Sequence, residues 1–330
     1  MQIAGTVARA VRRRLGWDTL GFVVSIALVA AASFVLFHLL RDVALDKVVT
    51  ALRATPPAAV ILAGALVAAS YVTLTFYDFF ALRTIGRSDI PYRSAAFTGF
   101  LAYTIGHNLG ATVFTAGLVR LRMYRSWGLD IIDVAKVAFV TGLTFWLGNI
   151  VVLGVGLTYA PEAASAINQL PAWLNRTLAI TALVVIAAYV LWLVPRPRRL
   201  GRNGWQVTLP NASSTLVQIG IGIADLMLAA LAMYALILVH AQVDLASALV
   251  AHVFATLLGF ASHAPGSIGV FDAAMLLALP QVGKEQLLAS LLIFRCLYFV
   301  IPFCIAVLAF GVREFWLWTR EAVRDEPRER

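Results

Sequence analysis

The sequence predicts an all-α polytopic membrane protein, and both its composition and its hydropathy pattern lead to that fold class. Hydrophobic residues make up 61% of the chain and charged residues 13%, whereas a soluble domain carries about 25% charged residues. So few charges leave too little polar surface to cover a globule in water. The hydrophobic residues also form blocks that reach the roughly 20 residues needed to cross a bilayer. These blocks cover 19–40, 58–82, 95–118, 131–158, 176–195, 213–240, 246–280 and 286–312.

The blocks follow one another closely, so we expect a single transmembrane domain over 1–330. Residues 1–18 are basic. The first block after them is too long for the apolar core of a signal peptide and no clear cleavage site follows it, so it is expected to remain as a helix. The membrane bundle then covers 19–312, and 313–330 form a short charged tail.

The positions of the basic residues predict the orientation. The net charge is +9, and most Arg and Lys residues lie at block ends, as expected where basic loops stay on the cytoplasmic side. This distribution leaves no soluble basic face for a nucleic acid, so no nucleic-acid partner is expected. Both termini are predicted to be cytoplasmic, in an inner (plasma) membrane. The basic segments lie at 9–14, 83–93, 120–125, 196–202 and 313–330.

Block 95–118 lies between two of these basic segments, so a full crossing would place one of them outside. We therefore predict a re-entrant hairpin that enters from the cytoplasm and returns to it. The middle of the block contains His107, Asn108 and Gly110, which are polar or helix-weakening. Irregular backbone at membrane depth is tolerated where protein surrounds it or where it lines a cavity.

Block 246–280 is the second predicted hairpin, since it is long for one span and short for two. It is interrupted by His263, Pro265, Gly266 and Gly269, and proline removes a backbone donor and clashes with the preceding turn. Its weakly charged flanks place both ends outside. The expected architecture is about six full spans and two re-entrant hairpins from opposite faces, the plan of an inverted repeat with broken helices. Eight full spans are the alternative.

Ionisable residues inside the blocks are candidate binding residues, because a charge at membrane depth is costly unless it is paired or hydrated. Arg295 lies near the centre of the last span and predicts an anion site, most naturally for a lipid phosphate held by two hydrogen bonds. The alternative is a structural ion pair with Asp225. Asp225 is then either that counter-ion or a carboxylate that couples to protons or cations. Asp272 could cap or orient the second hairpin, or face a cavity.

Several residues near block ends have a more ordinary alternative. Arg120 and Arg122 either contact lipid headgroups or supply the usual cytoplasmic positive charge. Lys136 and Asp78 are expected near the membrane interface. The hairpin histidines lack a close set of further metal ligands, so we expect them, together with Asn108, to hydrogen-bond freed backbone. No phosphate-binding loop or catalytic constellation occurs, and we expect no enzymatic activity, cofactor or metal.

Four segments of the chain carry a resemblance to a known family. They are Asn108–Leu129 with its Arg120-Leu121-Arg122-Met123-Tyr124, Thr144–Gly148, Pro265–Asp272, and Arg295…Tyr298…Pro302. Together they resemble the membrane flippase part of the lysyl-phosphatidylglycerol synthase/flippase superfamily, the multiple peptide resistance factor. The third segment is similar to that family's Pro-Gly-Gly-x-Gly-x-x-Glu pattern, and the fourth to its closing Arg-x-x-Tyr-x-x-x-Pro.

This resemblance implies a transmembrane domain that moves or binds lipids such as phospholipids, aminoacylated phosphatidylglycerol or polyprenyl lipids. It puts forward Arg120, Asp272 and Arg295 as the matching functional positions. The sequence departs from the family pattern at Ser267, which replaces a glycine, and at Asp272, which replaces a glutamate. No counterpart of the aminoacyl-transferase domain is expected in 313–330, so lipid synthesis would fall to a separate enzyme.

Three functional hypotheses follow from the sequence. The first is a lipid flippase in which the two hairpins meet near the midplane, and Arg295 and the Arg120 cluster take the lipid phosphate. The second is a secondary transporter of a small anionic solute. The third is a non-transporting scaffold that partners a lipid-modifying enzyme. Membrane lipids are the expected partners, and the sequence leaves the oligomeric state open.

Overall fold

A computed structural model describes residues 53, 55–110, 112–194, 199–202, 205–262 and 265–324. The predicted first span, 19–40, and the predicted hairpin residue His263 lie outside these residues. The helices are α1 (Pro57–Thr84), α2 (Tyr92–Leu109), α3 (Thr112–Tyr124), α4 (Ile131–Tyr159), α5 (Pro161–Asn168), α6 (Ala172–Trp192), α7 (Ala212–Ile237), α8 (Leu245–Ala261), α9 (Val270–Ala278), α10 (Lys284–Arg295) and α11 (Ile301–Arg324).

Five helical segments of the described chain are long and apolar enough to cross a membrane. They are α1, α4, α6, α7, and the continuous helix formed by α10, a π-helical turn (Cys296–Val300) and α11. At 1.5 Å per residue, α4 with its 29 residues is about 43 Å long, which exceeds a hydrocarbon core of about 30 Å. The five segments correspond to five of the predicted spans. The chain is therefore a multi-pass, mainly α-helical membrane protein.

The loop between α6 and α7 contains a short antiparallel β-hairpin, which the sequence did not predict. Its strands are β1 (Arg199–Arg202) and β2 (Trp205–Thr208), with Arg199 opposite Thr208 and Arg202 opposite Trp205. The described chain has the expected all-α fold class apart from this short ribbon. The reason is local, because a two-strand ribbon satisfies backbone groups in a segment too polar and too short for a further span.

Helices α1 and α7 form the antiparallel centre of the bundle. Near the start of α1, Ala63 packs in one apolar cluster with Leu236 at the end of α7. Further along, Tyr77 of α1 contacts Asp225 in the middle of α7. Helix α4 crosses α7 closely, and a Cβ atom built on Gly148 would lie 2.6 Å from the backbone of Gly222. Small residues at such crossings allow two membrane helices to approach backbone to backbone.

Helices α2 and α3 pack against each other as a hairpin. A Cβ atom on Gly106 would lie 2.9 Å from Cβ of Ala116, so the glycine permits this close packing. The expectation that His107 and Asn108 interrupt the helix is wrong, since α2 stays helical through both residues to Leu109. The chain leaves the helix at Gly110, whose φ of 78° favours glycine.

The two ends of this first hairpin lie side by side. Arg87, just before α2, donates from Nη2 to the backbone carbonyl of Trp127, just after α3, at 2.6 Å. Arg87 also donates to both carboxylate oxygens of Asp89 at 2.9 Å, and these bonds hold the pKa of Asp89 below its ordinary value. A hairpin whose ends are tied together has the geometry expected of a segment that enters and leaves on one side.

The second hairpin consists of α8, a 3₁₀ turn at Pro265–Ser267 and α9. Gly266, Ser267 and Gly269 all have positive φ values, of 57°, 54° and 79°. The predicted break at these glycines and the proline is therefore confirmed. A Cβ atom on Gly259 would lie 2.5 Å from Oγ of Ser267, so the missing side chain on α8 leaves room for the serine.

The two hairpins meet inside the bundle, because the turn at Pro265–Ser267 packs against α2. The order of a long helix, a broken hairpin and a long helix occurs twice, once from α1 to α4 and once from α7 to α11. Since α1 and α7 run antiparallel, the second set runs in the opposite direction. The inverted repeat and the re-entry of each hairpin into a membrane stay predictions.

Candidate functional site

An outer cavity of about 200 Å³ lies between α1, α2, α3 and α4. Most of its wall is apolar or aromatic, and Phe145 and Phe260 form part of it. Val113 and Trp146 line the cavity and are also 63% and 45% exposed at the surface of the bundle. The rim therefore reaches the apolar surface that a bilayer would cover. Its polar lining includes Tyr77, Asp78, Tyr103, His107, Thr141 and Arg120.

An ion pair between Arg120 and Asp78 forms the charged part of this lining. Nη2 of Arg120 donates to Oδ1 of Asp78 at 2.7 Å, and Nε donates to both carboxylate oxygens at 3.0 and 3.1 Å. Tyr124 donates a further hydrogen bond to Asp78 at 2.8 Å. Asp78 lies near the end of α1, as expected, and it has 0% relative exposure. Its carboxylate belongs to the buried face of α1 and is stabilised by three donors.

Arg122 points away from the outer cavity and pairs with another helix. Its Nη2 lies 2.5 Å from Oε2 of Glu314 on α11, and Arg313 lies 2.7 Å from the other carboxylate oxygen. The pair joins the end of α3 to α11, which places both at the same end of the bundle. Lys136 lies 3.6 Å from Asp133 within the first turns of α4.

A small inner cavity of about 20 Å³ lies deeper, around Asp225. Ser70 donates to Oδ1 of Asp225 at 2.6 Å, and Tyr77 donates to Oδ2 at 3.2 Å. The volume is enough for one water molecule, which needs about 10–15 Å³ by this measure. Tyr103, His107 and Phe145 border both cavities and separate them. The other inner lining includes Leu226, Ala229, His252, Thr256, Ser267 and Tyr298.

Three tyrosines strengthen the wall between the cavities. Tyr103 and Tyr298 share a hydrogen bond of 3.0 Å through their hydroxyl groups. Tyr71 donates to the backbone carbonyl of Tyr298 at 2.8 Å and packs against its ring. The ring of His107 stacks on Tyr103 at 5.3 Å between centroids, and Asn108 donates to the carbonyl of Thr104 at 2.9 Å within its own helix.

Arg295 fastens the second hairpin rather than lining a cavity. Its Nη2 donates to Oδ2 of Asp272 at 2.5 Å and its Nε donates to Oδ1 at 3.1 Å. Nη1 donates to the carbonyl of Gly266 at 3.1 Å. The alternative of an Arg295–Asp225 pair is wrong, because Arg295 pairs with Asp272 while Asp225 accepts from hydroxyl groups. The guanidinium is thus bound to the two sides of the break.

Asp272 has the capping and orienting role that the sequence suggested. Its Oδ2 accepts from the backbone N–H of Gly269 at 3.0 Å, at the start of α9. A carboxylate in this position stabilises the first turn of a helix by accepting an otherwise free donor. The shorter Asp in place of the family's Glu is therefore compatible with both this cap and the pair with Arg295.

The structure divides the candidate residues into three places. Arg120 lines the outer cavity, Asp225 lines the inner cavity, and Arg295 with Asp272 holds the second hairpin. The sequence missed the roles of Asp78, Tyr77, Tyr103, Tyr298 and His252. The available signal was the spacing of polar residues along α1, where Ser70, Tyr77 and Asp78 recur on one helical face. No cluster of three or more metal-ligating side chains occurs in the described part of the chain.

Comparisons with known proteins agree with a membrane protein of this type. No family model matches the chain. Uncharacterized protein slr0712 of Synechocystis is 30% identical over 260 residues, which cover 78% of this chain and 80% of that protein. Inner membrane protein YbhN of Escherichia coli is 26% identical over 253 residues, covering 76% and 78%. A Staphylococcus aureus phosphatidylglycerol lysyltransferase is 24% identical over 250 residues, covering 73% of this chain and 28% of the lysyltransferase.

We predict that Arg295→Lys loosens the second hairpin although it preserves the charge. Lysine cannot reproduce the planar fork that binds Asp272 and the turn carbonyls together. A lost hydrogen bond to a charged group is worth about 1.5–3 kcal/mol. Hydrogen–deuterium exchange should therefore accelerate in the segment from Gly266 to Ala278 and the unfolding temperature should fall. Arg87→Lys, at an exposed pair, is the control and should leave that segment unchanged; equal exchange in both variants would contradict the assignment.

Proposed function

Since the chain belongs to the same family as the Synechocystis protein slr0712 and contains a cavity that combines an ion pair with an apolar rim, we propose that it translocates lipids. The substrate would be a phospholipid or another anionic or aminoacylated lipid. The outer cavity is the observation that carries this proposal. The similarity to a phosphatidylglycerol lysyltransferase supports the same class of substrate.

The shape of the outer cavity suits a lipid better than a solute taken from water. Val113 and Trp146 belong both to the cavity lining and to the exposed apolar surface. A lipid could therefore insert its headgroup sideways between α3 and α4 while its chains stay in the bilayer. A headgroup crosses a pure bilayer slowly because its polar atoms lose their hydrogen bonds to water. Polar cavity walls replace some of those bonds and so lower the barrier.

Arg120 is the residue that we propose to bind the lipid phosphate. A guanidinium binds carboxylate and phosphate with the same two-bond geometry, so a phosphate can compete with Asp78 for Arg120. Tyr124 would continue to satisfy part of the released carboxylate. Arg295 does not take this role in the proposal, since its donors already hold Asp272 and the turn carbonyl of Gly266.

We further propose that the end of the bundle with the arginines faces the cytoplasm and that both hairpins are re-entrant. Arg87 and Arg122 tie the start of α2 and the end of α3 to this end. Basic residues are retained on the cytoplasmic side. The loop between α5 and α6 would then be outside, and the second hairpin would enter from that face.

This topology can be tested with single added cysteines and a thiol reagent that cannot cross membranes. Ser88→Cys before α2 and Ser126→Cys after α3 should react only after the membrane is opened. Gln169→Cys, in the exposed loop after α5, should react in intact cells. The unaltered chain, with Cys296 and Cys304 in its last span, provides the background. Reaction of Ser88→Cys and Ser126→Cys from opposite sides would show that 95–118 crosses the membrane.

Obstruction of the outer cavity tests the proposed function directly. Gly142 lines the cavity, and a Cβ atom there would contact nothing within 4 Å, so Gly142→Phe adds bulk without a backbone clash. Fluorescent phospholipids in liposomes containing the purified protein should become accessible to an external quencher. We expect the variant to slow this exposure by about tenfold or more, which corresponds to a barrier raised by about 1.4 kcal/mol.

Gly220→Phe is the matched control, because Gly220 is an exposed α7 glycine that also has open space at its Cβ position. It should exchange lipid at the rate of the unaltered protein. Equal loss in both variants would point to a general effect on the helices. Normal exchange in Gly142→Phe would contradict the proposed path. Absence of exchange with every lipid tested, including anionic and aminoacylated ones, would favour the small-anion transporter or the scaffold.

The role of Arg120 can be separated from its contribution to folding. Arg120→Gln alone should destabilise the protein by about 3–5 kcal/mol, because it leaves Asp78 as an unpaired buried charge. The double variant Asp78→Asn/Arg120→Gln removes both charges and should recover most of that stability. We expect this folded double variant to lose preferential exchange of anionic lipids. Retention of that preference, with thermal unfolding confirming the fold, would exclude Arg120 as the phosphate ligand.

A further inference from the structure

Asp225 is a buried carboxylate that the proposed lipid path does not use. It lies in the middle of α7 and is 3% exposed. Its hydrogen-bond partners within the described chain are hydroxyl donors, Ser70 at 2.6 Å and Tyr77 at 3.2 Å. Within the described ranges, Asp78 and Asp272 are each paired with an arginine, whereas no Lys, Arg or His lies within ion-pair distance of Asp225.

A lone negative charge at this depth needs a compensating positive charge. Removal of a carboxylate from water is costly unless it is paired, and two hydroxyl donors compensate only part of that cost. A proton or a bound metal cation would complete the compensation. The inner cavity beside Asp225 has room for one water molecule through which such a charge could arrive.

His252 provides a second, independent indication of a bound species. It is 3% exposed and lines the same inner cavity. The aromatic rings of Phe271 and Phe294 pack edge to face against it and fix its orientation. Its Nδ1 has no hydrogen-bond partner in the part of the chain that the structure describes. A buried nitrogen without a partner is costly, and a water molecule that exchanges protons with Asp225 would satisfy it.

The walls of the inner cavity favour a proton over a metal cation. A hard cation requires about six or more oxygen ligands, whereas aromatic rings form much of this lining. Ser70 and Tyr77 also point their hydroxyl hydrogens at the carboxylate, which leaves fewer oxygen lone pairs for a metal. The other titratable groups that surround Asp225 in the described chain are tyrosines and histidines, and no Lys or Arg is among them. They are Tyr71, Tyr77, Tyr103, His107, His252 and Tyr298.

A route between the two cavities also exists. Tyr77 contacts Asp225 and lines the outer cavity, so a single hydroxyl group connects the carboxylate to the lipid path. Tyr103 borders both cavities and shares its hydrogen bond with Tyr298. Hydroxyl groups both donate and accept hydrogen bonds, so these tyrosines can pass a proton by exchanging one O–H bond for another.

We propose that Asp225 is a proton-binding site, with His252 and a water molecule beside it, that couples lipid translocation to a proton gradient. The proton comes from water on one side of the membrane, forms an O–H bond with the carboxylate, and is released to water on the other side. Protonation removes the charge of Asp225 and so weakens the hydrogen bond that the Tyr77 hydroxyl group donates to it, which allows Tyr77 to rearrange at the outer cavity. The coupling rests on the proposed lipid translocation, whereas proton binding does not.

Proton binding can be tested without any lipid assay. Infrared difference spectra of the purified full chain should be recorded while the pH is lowered. The unaltered protein should develop the C=O band of a buried carboxylic acid. Asp225→Asn, which has the same shape and can still accept from Ser70, should lack that band. Glu162→Gln, which removes an exposed carboxylate, should retain it. An identical band in Asp225→Asn, or its removal by Na⁺ at constant pH, would overturn the assignment.

Coupling is tested in liposomes with fluorescent phospholipids. A gradient of one pH unit is worth about 1.4 kcal/mol per proton and should change the lipid distribution between leaflets about tenfold. A protonophore should abolish that change. Asp225→Asn should redistribute lipid to the same extent with and without the gradient. Coupling would be excluded if the unaltered protein also redistributed lipid to the same extent with and without the gradient. An Asp225 infrared band without lipid exchange under any gradient would support the proton site and contradict lipid translocation instead.

Discussion

Backbone groups that leave a regular helix must find hydrogen-bond partners within the protein wherever water is excluded, and this constraint accounts for the contacts of the second hairpin. The turn at Pro265–Ser267 leaves carbonyl groups outside regular helices. Arg295 donates to the carbonyl of Gly266 and to Asp272, which in turn accepts from the N–H of Gly269. One guanidinium therefore neutralises a carboxylate and satisfies backbone on both sides of the break. The turn held in this way packs against α2, and its Ser267 lines the inner cavity.

The polar interior is arranged in layers, and the buried charges in different layers are balanced by different partners. Arg120 and Asp78 compensate each other at the outer cavity, which remains accessible to competing anions. Tyrosines from three segments form the wall behind them, and Asp225 lies beyond that wall. Tyr77 contacts Asp225 and also lines the outer cavity, so one residue connects a headgroup at Arg120 with an event at Asp225. This proximity provides a physical basis for communication between the two cavities without movement of a whole helix.

The sequence predicted the helices well because hydropathy is a local property. Five predicted spans match helices of the structure, and Pro265, Gly266 and Gly269 mark the second break because their backbone constraints are local too. The partners of the charges were not predictable in the same way. Arg295 and Asp225 both lie near the middle of their spans, so the sequence allowed them to pair. The structure instead places Asp272, which caps the start of α9, next to Arg295. The pairing of Asp78 with Arg120 was missed because position along α1 does not reveal which face α3 covers.

Charge balance in the interior follows from these pairings. The described interior contains Arg120 and Arg295, each with an aspartate partner, and the pairing leaves Asp225 as the buried carboxylate without a cationic partner. Had Arg295 paired with Asp225, Asp272 would be the residue in need of compensation, but it is partly exposed and caps a helix. The packing instead leaves Asp225, which is only 3% exposed, without a cationic partner in a cavity that it shares with a histidine nitrogen lacking a partner in the described chain. A protein is expected to retain such an unfavourable arrangement where the charge is neutralised and restored during function.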